Sequence, residues 1–185
     1  MTTLDDLIER IRRDRKLDKE IPGFDPKNGN EVAKYLLLLE APGPKAIESR
    51  VVSFDNKDQT AANLKEQLTK AGIDRSDIVV WNIVPWYLGE DDMKKIRSAK
   101  SGDITQCLNY LGDLVRILKN IQCIVLMGSA ARKAHVYLSY TTDVRILSCH
   151  HPSPRVKNFS PTSFDENVAV FKAMAHLRAT DEFVL

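Results

Sequence analysis

The stretch IQCIVLMGS, Ile121 to Ser129, is a short apolar run that does not alternate and that stops at a glycine and a serine. Three other runs share its form: KYLLLLEAP (Lys34–Pro42), DIVVWNIVP (Asp77–Pro85) and VRILSCHHP (Val144–Pro152). Each is rich in Leu, Ile and Val, and each ends in Pro or Gly. Strands buried on both faces of a parallel sheet have this composition. Helical spacing fills the intervals. Leu64, Leu68 and Ala71 predict a helix from about Thr60 to Gly72, closed by that glycine. Leu108, Leu111, Leu114, Val115 and Leu118 predict another, starting near Asp103 as its cap. Ser129–Tyr137 reads as a short helix after the third run. Val168, Phe171, Ala175 and Leu177 mark a helix beginning near Asp165. Leu4, Leu7, Ile8 and Ile11 mark an N-terminal one, expected to lay its apolar face on the sheet and leave Arg10, Arg12, Arg13, Arg15 and Lys16 in solvent. Strand–helix–strand alternation means an α/β fold with right-handed crossovers.

A chain of 185 residues, 43% hydrophobic and 28% charged, is expected to be one domain with a full core. Residues 1–20 form a helical extension to it. The net charge of +2 is near neutral but unevenly spread. From Lys94 to Lys157, basic residues outnumber the acids Asp103, Asp113 and Asp143, which suits a polyanionic partner or a solvated surface. Cys107, Cys123 and Cys149 are odd in number and widely spaced, with no C-x-x-C pair. Neither a zinc site nor a disulfide framework is indicated, and Cys123 and Cys149 read as buried, inert thiols. The charged N-terminus is no signal peptide, and no apolar run reaches the length of a membrane span. A cytoplasmic location is expected, with no membrane association.

In open α/β sheets, ligands bind beyond the carboxyl ends of the strands. Those ends here carry EAPGP, NIVPWY, MGSA and HHPSPR, which are expected to converge on one face. The last is the stiffest. In CHHPSPRVKN (Cys149–Asn158), His151 and Ser153 each precede a proline, so both are pushed to extended geometry on a rigid loop.

These peptides together resemble the uracil-DNA glycosylase superfamily. Its members carry a first motif of the type G-x-x-P at a strand end, an Asn at the end of the next strand, and a late H-P-S-P motif. Here these are LEAPG (Leu39–Gly43), WNIVPW (Trp81–Trp86) and HPSPR (His151–Arg155), in matching order from about Ile21 to the C-terminal helix. EAPG is most similar to the iron–sulfur branch, HPSPR to the classical and single-strand-selective branches. The resemblance implies a three-layer sandwich with a central four-stranded parallel sheet flanked by helices. It also implies DNA as partner and a monomer. Two departures stand out: Leu39 replaces the usual Gly, and the four cysteines that hold the cluster in EAPG-type relatives are absent. No iron–sulfur cluster, metal or other cofactor is therefore expected.

A glycosylase must take the base out of the stack, read its Watson–Crick edge and stabilise both the departing base and the cationic sugar. Asn82 suits the reading, since its amide offers one donor and one acceptor for uracil O4 and N3–H, a pair that cytosine inverts. A structural cap on the turn before Pro85 is the plainer role. His151 suits the leaving group, as a donor to uracil O2. A neutral imidazole serves if nearby cationic charge disfavours protonation. His150 reads as a residue that simply bonds the loop. Glu40 is the candidate for positioning water or stabilising the sugar, with a turn role paired to Lys45 as the other reading, and with Asp55 and Asn56 as alternatives for the water. Ala41 stands where the classical branch carries its Asp. Phe54 either stacks on the flipped base or packs in the core. Ser129 and Ser153 suit phosphates, Ser129 at a helix start whose N–H groups favour an anion. Arg155 stands where relatives insert a residue into the gap left by the base. Lys157 and Asn158 continue along the backbone. Trp86 and Tyr87 line a groove or simply pack.

The expected activity is hydrolysis of uracil, or a related deaminated base, from DNA. No lysine in the motifs suggests a Schiff base, so an abasic site without strand cutting is expected. The alternative is a non-catalytic DNA-binding module of the same fold.

Overall fold

The computed structural model describes residues 3–89 and 95–176. Leu177 and Lys94, which the reading above uses, lie outside them. The chain opens with α1 (Leu4–Arg15), the short strand β1 (Gly23–Phe24), β2 (Tyr35–Leu39), α2 (Pro44–Ser49) and β3 (Val51–Val52). It continues with α3 (Gln59–Ala71), β4 (Ile78–Asn82), α4 (Ser101–Thr105), α5 (Leu108–Ile117) and β5 (Cys123–Met127). Last come α6 (Gly128–Arg132), α7 (His135–Thr141), β6 (Arg145–Cys149), α8 (Pro154–Phe159) and α9 (Ser163–His176).

The four apolar runs are the four strands of one parallel sheet in the order β4-β2-β5-β6. The fold is α/β, a parallel sheet flanked by helices, as expected. The register sets the strand ends level: Leu39 pairs with Asn82, Leu38 with Leu126, and Met127 with Cys149. EAPG, the Ile83 turn, Gly128 and the HHPSP loop therefore leave the sheet along one edge. The backbone N–H groups of Ile83 and Val84 donate to the carbonyls of Leu39 and Glu40, at 2.9 and 3.0 Å, and tie the first two strand ends together.

Burial corrects one expectation. β2, β4 and β5 are buried throughout, but β6 is partly exposed along its length up to Cys149. It is an edge strand. β4 lies at the other edge yet stays covered, because β1 and β3 form a small parallel pair of their own beside it. Phe24 of β1 stacks on Trp81 of β4, with ring centroids 4.1 Å apart. That pair and α2 were not legible as periodic elements, being too short.

The helices form where the stripes lie. Asp58 caps α3 by accepting from the Ala61 N–H at 3.0 Å, and Gly72 closes it in the left-handed conformation at φ 71°. Asp103 does not cap α5. It lies in the first turn of the separate helix α4, accepts from the Lys100 N–H and pairs with Arg97; Cys107 stands between α4 and α5. The Ser129–Tyr137 region divides into α6 and α7. α3 packs on α9 and α9 on β6, while α5 packs on α1 and α7.

The N-terminal helix is capped by a reciprocal pair, Thr3 and Asp6. It buries Leu4, Leu7, Ile8 and Ile11, each worth about 1.5–3 kcal/mol by transfer. Its closest packing is on α5 and β1, and its apolar residues join the same core cluster as the strands of the central sheet. Its arginines are not all solvated. Arg12 donates to the Ile21 carbonyl, Arg10 pairs with Asp113, and Arg15 covers the Trp86 ring at 4.2 Å. A long cationic side chain can pack its stem and spend its head on a carbonyl or ring. Arg13 and Lys16 are exposed as expected. No helix among the described residues is long and apolar enough to cross a membrane.

Candidate active site

A cavity of about 630 Å³ opens at the carboxyl edge of the sheet. Of the predicted site residues, Glu40, Ala41, Asn82, Phe54, His151 and Arg155 line it together. They come from the ends of β2 and β4, the turn after β3, the loop after β6 and the first turn of α8. The topology alone brings these distant positions to one place.

Asn82 ends β4 and is 3% exposed. Its side-chain amide bonds no described residue, so no turn-capping role is seen and its donor and acceptor are left to the cavity. Buried amides are normally satisfied, so one kept open in a cavity wall is suited to a ligand.

His151 sits against Gly128, the residue that follows β5. A Cβ on Gly128 would stand 2.9 Å from the Cβ of His151, and its φ of +89° is one that L side chains rarely adopt. Only glycine fits there. The backbone N–H of Ser153 donates to Nδ1 of His151 at 3.3 Å. Nδ1 is thus the acceptor, and the neutral ring carries its proton on Nε2. Burial pushes the imidazole below the usual histidine range, with Glu40 opposing. Loss of hydration therefore keeps the ring neutral; nearby cationic charge is not the cause. The ring of His150 bonds Glu166 on α9 at 2.7 Å, away from the cavity.

Glu40 does not pair with Lys45, which binds Glu48 instead. One carboxylate oxygen of Glu40 accepts from the Ala99 N–H at 2.6 Å; the other bonds no described residue. Asp55 is taken up elsewhere. Lys65 and Arg75 hold its carboxyl at about 2, at 2.7 and 2.6 Å, and it does not line the cavity. Asn56 does line it, while donating to the Val51 carbonyl at 3.1 Å.

Phe54 is both things the sequence left open: 7% exposed, part of the core, and a wall of the cavity. The Arg75 guanidinium lies 4.3 Å from its ring centroid and does not itself line the cavity. Arg75 in turn bonds Asp25 at 2.6 Å, and Ser53 bonds the same Asp25.

Ser153 and Ser129 lie outside this cavity. Ser153 precedes α8 without capping it, and its hydroxyl bonds no described residue. Ser129 is exposed on the five-residue helix α6, next to Gly128. Sequence reasoning missed Lys45, Lys57 and Arg97, which add cationic groups to the cavity wall beside Arg155. Arg97 arrives on the segment that Glu40 anchors through Ala99, a long-range contact with no local signal. The three cysteines sit on separate elements, and burial pushes their thiols up to about 12, 11 and 12. They do not fit a shared cluster, and no group of three or more metal-ligating side chains occurs among the described residues.

The α/β fold thus carries, at the carboxyl edge of its sheet, a cavity lined by cationic side chains, an open buried amide and a neutral histidine. Residues 26–175 match the model of the uracil DNA glycosylase superfamily. The chain belongs to that superfamily. No curated protein matches it. Among solved structures it is similar to a candidate uracil DNA glycosylase from Methanosarcina acetivorans, determined by solution NMR. The TM-score is 0.53 at 14% identity, covering 79% of this chain and 95% of that one. It is also similar to the wild-type UNG crystal structure from Nitratifractor salsuginis, at TM-score 0.48 and 16% identity over 82% and 76% of the chains.

Proposed function

We propose that the chain hydrolyses the N-glycosidic bond of uracil in DNA and leaves an abasic site. The observation that carries this is a pair of groups lining one cavity: the unengaged Asn82 amide and the Nε2-protonated, buried His151.

The roles follow from the chemistry. The flipped base stacks on Phe54, a contact worth about 1–3 kcal/mol. Asn82 donates to O4 and accepts from N3–H. The C1′–N1 bond breaks, its electron pair leaves with the uracil ring, and Nε2–H of His151 stabilises the charge that develops on O2. A neutral donor suits this step, since it adds no charge to disturb the ground state. The free oxygen of Glu40 orients a water toward C1′ and faces the positive sugar. The water oxygen bonds C1′, and one of its protons is released. Arg155, Lys45, Lys57 and Arg97 at the rim, with Ser153 close by, meet the phosphates. Ala41 leaves the position beside Glu40 uncharged.

A labelled oligonucleotide with one uracil, single-stranded or opposite G or A, tests this. Strand breaks that appear only after alkali are expected, reduced by about 10²-fold or more in Asn82→Ala. Salt-sensitive binding to every substrate without breaks would instead establish the non-catalytic DNA-binding module.

A further inference from the structure

We infer that Asn63 and Asn167 are positioning residues for His151, two buried amides that clamp the loop backbone on either side of the imidazole. The inference rests on the reading of His151 given above. Asn167 of α9 accepts from the His150 N–H at 2.9 Å and donates to the His150 carbonyl at 3.0 Å. Asn63 of α3 donates to the Pro152 carbonyl at 2.8 Å. Pro152 has no N–H, so its carbonyl is the only backbone group there that a side chain can hold. The residues on both sides of His151 are therefore fixed by different helices.

The amides are themselves fixed. Gln59 donates to Oδ1 of Asn63 at 2.9 Å, and the Nδ2 of Asn167 also donates to Gln67 at 3.3 Å. Each Asn can thus present only one face to the loop. Asn63 is 4% exposed and Asn167 is 1% exposed, in a seam that Leu64, Leu68, Val168 and Phe171 already pack. A polar side chain in such a seam costs stability unless it is bonded. Here its bonds go to the loop that carries the histidine, so the polar seam is spent on holding His151 in place.

The seam supplies its own control. Leu68 is 3% exposed on the same helix α3, but its side chain bonds neither the amides nor the loop and does not line the cavity. Three variants, Asn63→Leu, Asn167→Leu and Leu68→Ala, are compared by single-turnover cleavage, by KM and by the ring ¹⁵N signals of His151. The first two are expected to slow the chemical step by about 10- to 100-fold with KM little changed, as for a misplaced group. Their His151 signals should move away from a single Nε2–H tautomer. Leu68→Ala should lower the melting temperature and leave both readouts alone. If the Leu variants do not fold, Asn63→Ser removes the reach to Pro152 with less strain. Unchanged His151 signals in the Asn63 variant, or rate losses that follow stability alike in all three, would overturn the clamp. The ring signals decide it even if wild-type protein cleaves no substrate, an outcome that would sink the functional reading alone.

Discussion

Behind Phe54 stand Asp25, Asp55, Arg75 and Lys65; behind His151 stand Asn63, Gln67 and Asn167. The two walls of one cavity are held by different chemistry. The charged lattice is tolerable behind Phe54, because a hydrocarbon ring has no proton to lose and its stacking is indifferent to a balanced set of ion pairs. The loop that carries His151 is under a stricter constraint. A carboxylate close to the imidazole would pull it toward the charged form, and Glu40 already acts in that direction; Glu166 bonds the ring of His150, outside the cavity. Neutral amides hold the backbone on either side of His151 without adding a charge beside it. On the proposed mechanism, the contrast separates a wall that binds from a wall that must keep one protonation state.

Truncating each wall in turn gives the largest expected effect. His151→Ala should lower kcat by about 10²–10³-fold with little change in KM, since it removes a donor that acts on developing charge. Phe54→Ala should act chiefly on KM, by about 5- to 150-fold, the equivalent of one lost stacking contact. Steady-state kinetics on a uracil-containing oligonucleotide separates the two. Equal effects on kcat from both variants would erase the distinction between the walls.

Arg75→Met comes next. It keeps an apolar group against Phe54 but leaves the Asp25 carboxylate, 4% exposed, without its cation. Ser53 and the Lys27 N–H still bond Asp25, so the expected loss is about 2–3 kcal/mol, at the low end for a broken buried pair. Denaturant unfolding measures it. The double variant Asp25→Asn, Arg75→Met should recover part of the loss, because the uncompensated charge is gone. No recovery would mean that the lattice acts through packing on Phe54 rather than through charge.

The two walls also differ in how far they could be read from the chain alone. The strands, their parallel pairing and the meeting of EAPG, Asn82 and HPSP were legible because each rests on local composition or on a short stiff peptide. The edge position of β6 was not, since VRIL is as apolar as a central strand. Phe54 was legible as an aromatic but not its backing, because Asp25, Asp55 and Arg75 lie 20 to 50 residues apart in sequence. The amide wall left a signal that went unused: Asn63 and Gln67 are four residues apart, beside the Leu64–Leu68 stripe, where amides have no reason to be buried without partners. The N-terminal arginines misled for the opposite reason. A basic run reads as solvated, and only the packing of α1 shows Arg12 and Arg15 folded back onto a carbonyl and a ring.

Acidification should take the walls apart in order, with the smallest effect of all. His151 titrates below 6.5 in the folded chain, because burial disfavours its charge. As pH falls from 6.5 toward that lower value, the unfolded chain takes up a proton that the folded chain refuses, so stability declines in this window. Asp55 works the other way round. Its carboxyl is held at about 2 against an ordinary 3.8. The stability it contributes is complete above about 3.8 and is lost as pH falls from there toward 2. Solvent screening keeps that contribution under about 1 kcal/mol, as for other exposed pairs. Asp103, held at about 2 by Arg97, titrates in the same low window, so only differences between variants isolate a wall. Thermal unfolding from pH 7 to pH 2 is expected to show His151→Ala flattened in the window just below about 6.5 and Asp55→Asn flattened only below about 4. A His151 variant that tracked wild type through the upper window would mean that the imidazole takes up its proton as freely in the folded chain as in the unfolded one. Burial would then not be what keeps the ring neutral, and the contrast between the amide-backed and the charge-backed side chains of the cavity would lose its basis.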